Sequence, residues 1–510
     1  MSRFVKEVVT SAGGVVVAQS RRAAGAGAEV LRAGGNAVDA AVATSLALGV
    51  CEPWMSGIGG GCAALIQPPG AAPVALDGGM VAPLLLDPAA YPLAGGTGAG
   101  FFAWPAVEGE RNVTGPLAVA VPGLVAGLGA AHARFGRLAW AEVLAPAIAI
   151  ADAGHAVDWY TSLLITSSAA ELRAQPAAAA HYLPDGLPPS PDWRKGRITL
   201  DTTPLARSYR RLADAGAADF YRGDLAAAWL HEAEAAGTWL RRADLERYAA
   251  RWTEPLGFAY RDATVTAMDG LFAGVTLKGS LDRLAERWPG GPADAQAYAA
   301  YASSLKEADG ERLATLGHAA QPGNTTHFCV VDGDGMVVSW TQTLLSLFGA
   351  HVLLPRTGIL LNNGIMWFDP EPGKPNSLGA GKRCLMNVCP VIGEQGEKRF
   401  AFGASGGRKI VSAVAQLASF ATDFGMDVGQ AFHQPRIDVS GGETVVADSK
   451  VPAEAIEALG AVHPVTVTHR TVYPYAFACP AGVMRQGDTN SGCTEIMNPW
   501  GDAAREEDVA

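Results

Sequence analysis

The apolar positions change period once along the chain. Small residues run through Ala23–Arg32, Gly34-Gly35 supplies a left-handed stop and Asn36 can cap the next helix, so the first 50 residues predict a tight helical hairpin. Helical spacing continues through Leu138–Ala153, Leu205–Ala215 and Leu225–Ala236, with Pro- and Gly-rich breaks between them. From Thr325 onward the pattern is that of strands, "HFCVV", "MVVSWTQT", "TGILLNN", "RFAFGAS" and "ETVVADS", with one helix over Val411–Phe420. A helix-rich part followed by a strand-rich part predicts sheet layers covered by helices, not separate modules. Ser303–Asn324 turns polar and reads as the stretch built to be reached or cut, and the tail "GDAAREEDVA" reads as frayed.

Composition narrows the function. Of 510 residues 49% are hydrophobic and 17% charged, enough apolar surface for a large core. A formal charge of −11 with no Lys/Arg cluster argues against a nucleic-acid partner. The best apolar window is broken by Asp39, Glu52 and Pro53, and the opening lacks a signal-like apolar run. The expectation is a cytoplasmic protein with no membrane partner. Seven cysteines, an odd number thinly spread, read as reduced; Cys384 and Cys389 match no zinc spacing, so neither metal nor cofactor is expected.

"SGIGGG" at Ser56–Gly61 lacks the Lys-Ser/Thr ending and the dinucleotide spacing of phosphate loops; close backbone approach explains its glycines better. In "PGNTTHFCVVDGDGMVVSWTQT", Gly333-Asp334-Gly335 fits a three-residue bulged turn that sets Asp332 opposite Met336. Counting outward, Val330 faces Val338, Phe328 faces Trp340, and Thr325 faces Thr343 with its hydroxyl in reach. Pairing Asp332 with Gly335 instead would separate the two threonines, and periodicity alone leaves both registers open. "DGDG" lacks the later acidic ligands of a calcium loop.

"GGNAVDAAVA", "EPWMSGIGGG", "VPGLVAG", "NTTHFCVVDGDGMVVS", "GILLNN" and "GASGG", in that order, resemble the gamma-glutamyltransferase family of N-terminal-nucleophile hydrolases. The resemblance implies an α+β fold, a four-layer αββα sandwich, whose precursor cuts itself between Asn324 and Thr325. The resulting fragments, 1–324 and 325–510, would stay associated as one shared domain, and a homo-oligomer is compatible with it. Thr325 would then carry both a hydroxyl nucleophile and an α-amine able to act as its base. By the same resemblance Thr343 orients the Thr325 hydroxyl, and the N–H groups of Gly406 and Gly407 form an oxyanion hole.

The substrate half of the pattern departs from the family. Leu345 stands where a polar residue such as Asn is usual, Gly364 and Trp367 where Gln and Asp are expected, Met386-Asn387 where a Ser-Ser pair is expected, and Gly79 where an arginine clamps an α-carboxylate. These substrate-binding positions offer an amino-acid head group few partners, each unpaired polar group costing about 1–3 kcal/mol. Arg356, Lys382, Arg383 and Arg408 are the cations that could hold an acid elsewhere. The reading is an acylase-like hydrolase or acyltransferase acting on a small-molecule amide other than a standard γ-glutamyl one; a true gamma-glutamyltransferase with relocated recognition residues is the alternative.

Overall fold

The alternation in the threonine-headed strand and its partner decides the middle of the molecule. Phe328, Val330, Val338 and Trp340 turn to one face and Cys329, Val331 and Val337 to the other, and all are buried. Such a hairpin needs cover on both sides. In the computed structural model, which describes residues 5–98, 104–191, 196–316, 324–440 and 442–509, it sits at the centre of a seven-stranded sheet. The order is Asp502–Arg505, Val15–Ala18, Asn324–Val331, Val337–Leu345, Gly61–Gln67, Val74–Gly78, Arg251–Thr253. A second seven-stranded sheet faces it, ordered Val9–Ser11, Thr489–Thr494, Cys479–Gln486, Lys398–Ser405, Val391–Gln395, Ala263–Ala267, Leu256–Tyr260.

Val15, Val17, Leu65, Cys329, Val331, Ile392, Ala401 and Val483 fill the space between the sheets. Helices Arg21–Arg32 and Ala37–Cys51 cover the first sheet, and Gly274–Arg287, Ala295–Leu316 and Lys409–Thr422 cover the second. This is the αββα sandwich; burying each large aliphatic or aromatic side chain in it contributes about 1.5–3 kcal/mol. The helical hairpin forms as its sequence indicates. Asn36 Oδ1 accepts from the N–H groups of Val38 and Asp39, and the Asp39 carboxylate accepts from Asn36 N at 3.0 Å. Gly27 has no room for a side chain, since a Cβ there would lie 2.2 Å from Thr44 Oγ1.

Several expectations are corrected. The helix-rich part also supplies seven of the fourteen sandwich strands; two of them, Val15–Ala18 and Gly61–Gln67, are buried on both faces and so carry no alternation to read. "TGILLNN" contributes only Ile359–Leu360, in a two-stranded ribbon, and "ETVVADS" only Val445–Asp448, in a small three-stranded sheet outside the sandwich. Polar Ser303–Leu316 is helical, the end of Ala295–Leu316; the turn residues Pro322-Gly323 lie outside the described residues. The tail is not frayed: Asp502–Arg505 pairs with Val15–Ala18 at the edge of the sheet. All seven cysteines are free and buried. Among the described residues no helix is long and apolar enough to cross a membrane.

Candidate active site

The hairpin closes as the turn chemistry requires, with Gly335 at φ +88° and Asp332 N donating to Met336 O at 3.1 Å. Val330 pairs with Val338, Phe328 with Trp340 and Thr326 with Gln342. The ladder then shifts, so that Asn324 pairs with Leu345 and Thr325 sits at the irregularity. Thr325 is 4% exposed and its Oγ1 donates to Thr343 Oγ1 at 3.4 Å. That contact is long for a hydroxyl pair. Thr343 Oγ1 also accepts from Leu345 N at 2.7 Å.

Leu345 holds φ +85°, a left-handed conformation that is uncommon for a leucine. The left-handed turn at Leu345 directly follows the N–H that donates to the Thr343 hydroxyl. The glycines of "SGIGGG" let this segment close on its neighbours: a Cβ on Gly60 would lie 2.3 Å from Thr343 O, and one on Gly59 2.1 Å from Leu360 O. Close backbone approach accounts for both.

Across the inter-sheet space, Cys329 Sγ donates to Ala401 O, and a Cβ on Gly403 would strike the His327 ring at 2.3 Å. Ala401 thus faces Cys329 and Gly403 faces His327. The Gly406-Gly407 turn follows the end of that strand, Lys398–Ser405. Gly406 has φ +125° and Gly407 φ +59°, which explains glycine at both. Their carbonyls accept from Lys409 N and Ile410 N, while among the described residues nothing accepts from either glycine N–H. Asn387 Nδ2 donates to Gly407 O at 3.2 Å, and its buried Oδ1 has no hydrogen-bond partner.

The remaining positions expected to meet substrate come together in the inter-sheet core. Leu345, Trp367 and Met386 are 2%, 3% and 0% exposed and share one apolar cluster with Met80, Met366 and Cys384. Gly79 and Gly364 border it: a Cβ on Gly79 would lie 3.2 Å from Met386 Sδ, and one on Gly364 2.9 Å from Met80 Sδ. Three of the four candidate cations are engaged. Arg383 donates to Asp77 at 3.1 Å and to Gly79 O at 3.2 Å, Arg408 pairs with Asp309, Lys382 donates to Ser377 O at 2.9 Å, and Arg356 is exposed.

Two neighbours of Thr325 were not singled out by sequence. His327, hydrogen-bonded to Thr341 Oγ1 at 2.8 Å, is pushed down to about 3 by burial and is therefore a neutral packing residue. Glu52, capping the C-terminus of Ala37–Cys51, accepts from Thr326 Oγ1 at 3.0 Å, and burial pushes its carboxyl up to about 7. The signal for Glu52 was an acid ending an apolar helix inside "EPWMSGIGGG". Among the described residues no group of three or more His, Cys, Asp or Glu could hold a metal ion.

The family model for gamma-glutamyltranspeptidase matches residues 23–320 and 295–504. The chain belongs to that family. It is 33% identical to the acylase ACY 1 proenzyme of Pseudomonas sp. (strain V22), over 89% of this chain and 87% of that one. It is 28% identical to the glutathione hydrolase proenzyme of Bacillus subtilis (strain 168), over 89% and 85%. Among solved structures it superposes on cephalosporin acylase from Bacillus halodurans with a TM-score of 0.80 at 25% identity, covering 99% of this chain and 97% of that one. The chain is an enzyme of the N-terminal-nucleophile hydrolase type and an acylase-like member of its family.

Proposed function

We propose that this gamma-glutamyltranspeptidase-family member is a self-processing amide hydrolase whose acyl-enzyme forms on Thr325. In processing, Thr325 Oγ attacks the Asn324 carbonyl, the C–N bond breaks to leave an ester and a free Thr325 amine, and water hydrolyses the ester. The large and small fragments, 1–324 and 325–510, remain held together, since each sheet contains strands of both. In turnover the amine takes the hydroxyl proton as Oγ attacks the substrate amide, and the N–H groups of Gly406 and Gly407 hold the developing oxyanion. The amine's proton passes to the leaving nitrogen, and water repeats the sequence to free the acid. Thr343 steers the attacking hydroxyl.

The observation that carries the substrate preference is the packed apolar cluster of Leu345, Trp367 and Met386, bordered by Gly79 and Gly364. An α-amino-acid head group placed there loses water without gaining partners. One fact favours the alternative of a true gamma-glutamyltransferase: the Arg383 guanidinium lies beside Gly79, where a clamp would be wanted. Asp77 already neutralises it. The test is a panel of p-nitroanilides on processed protein, γ-glutamyl against glutaryl, aliphatic and aromatic acyl groups. A higher kcat/KM for an acyl donor lacking the head group supports the acylase reading; the highest value for γ-glutamyl overturns it.

A further inference from the structure

Thr325 lies at the ladder irregularity, and the first residue in regular pairing is Thr326. After a cut before Thr325, Thr326 is the residue that ties the new terminus to the sheet. Its side chain turns away from Thr343 and meets one group: the Glu52 carboxylate, at 3.0 Å. Glu52 is 6% exposed, its position fixed because its own carbonyl accepts from Met55 N and Ser56 N.

The surroundings leave this carboxyl electrostatically isolated. Cys51 on its own helix, Tyr160 from helix Trp159–Ser167 and Cys479 from strand Cys479–Gln486 all approach it, and burial pushes each of their pKa values up, so all three stay neutral near pH 7. His155 lines the same cavity and is held neutral by burial. Arg22 interacts with Cys51 and lies on the exposed rim with Arg21 and Arg197. That cavity, about 830 Å³, runs from Glu52 to Arg21, Asp158 and Asp502 and lets a proton reach the carboxyl from solvent.

We propose that Glu52 is a positioning residue that sets the proton affinity of the Thr325 amine, holding the strand start through the Thr326 hydroxyl and placing one buried negative charge beside the new terminus. The inference rests on the reading of Thr325 as the amine-bearing nucleophile. One residue of chain separates amine and Thr326, so the amine lies within roughly 7–9 Å of the carboxylate. At that range in a partly buried setting a carboxylate raises an amine by about one pH unit. Glu52 takes no proton from substrate; the two groups titrate as a pair, and ionised Glu52 delays the appearance of the neutral amine as pH rises.

The test reads the amine directly. Processed wild-type protein and Glu52→Gln are carbamylated with cyanate across pH, and modification of the small-fragment N-terminus is followed by mass spectrometry. The expected result is an amine pKa about one unit lower in Glu52→Gln, with its rate-pH limb for p-nitroanilide hydrolysis displaced equally towards acid. Equal amine pKa values overturn the inference. If Glu52→Gln does not process, Glu52→Asp, which keeps the charge, should retain the wild-type amine pKa, and a fall of a unit there overturns it. A wild-type fragment that does not begin at Thr325 overturns this inference together with the functional reading; an unshifted amine on Thr325 overturns this inference alone.

Discussion

Thr325 Oγ1 and Thr343 Oγ1 lie 3.4 Å apart across a hairpin whose register is fixed by its Gly333-Asp334-Gly335 turn. The spacing suits a contact that tightens when the hydroxyl is drawn on during reaction. Thr343→Val keeps shape and deletes the acceptor. It should slow self-cleavage or turnover by about 10- to 100-fold, the effect of one hydrogen bond to a group developing charge, while leaving thermal unfolding within a few degrees of wild type. Unchanged rates in both assays would remove Thr343 from the chemistry.

Restoring an arginine at position 79 should not by itself create γ-glutamyl activity. A Cβ there meets Asp77 Oδ1 at 2.8 Å and Met386 Sδ at 3.2 Å, and a second guanidinium would crowd Arg383. Gly79→Arg is expected to lose about 1–3 kcal/mol of stability to overpacking, read as a lowered urea midpoint, with no gain in γ-glutamyl-p-nitroanilide turnover. A tenfold gain would show that the head-group pocket is open after all.

Met386→Ala removes a fully buried side chain from the cluster proposed to wall the site. Its cost should be about 2–5 kcal/mol, and the cavity left beside Gly79 should widen acyl tolerance. The comparison is between kcat/KM values for short and long aliphatic anilides, expected to shift towards the longer ones; an unchanged ratio would place Met386 away from the acyl group.

Glu52 also leaves a mark on stability. Its folded carboxyl, raised to about 7 from an ordinary 4.5, holds a proton that the unfolded chain has already released between those values. The native state therefore binds more protons there, and stability falls as pH climbs from about 4.5 to 7. In a Thr325→Ala background, which keeps the chain whole, Glu52→Gln should gain on its parent between pH 5 and pH 8 by on the order of 2 kcal/mol. The difference between the two urea midpoints checks this; a constant difference across pH would mean that Glu52 ionises normally.

The hairpin was legible because alternation fixes its faces and the Gly335 turn fits its register, but the choice between the two registers was settled only by the observed pairs Val330–Val338 and Phe328–Trp340. The helical hairpin was legible from Asn36 and its small residues. Strands such as Val15–Ala18 were not, because burial on both faces removes the period that marks a strand. Composition misled at Ser303–Leu316, where a helix lies on the surface of the second sheet and needs only one apolar face, as Leu305 and Ala308 provide. Glu52 escaped notice because its partner Thr326 is far away in sequence, and only folding reveals that the acid is buried.

The most direct measurement is the intact mass and N-terminal sequence of the purified protein. Two fragments are expected, 1–324 and a small one beginning at Thr325, with Thr325→Ala remaining a single inactive chain. A single uncut chain of 52.7 kDa with full amide-hydrolysing activity would contradict the assignment of Thr325 as an N-terminal nucleophile.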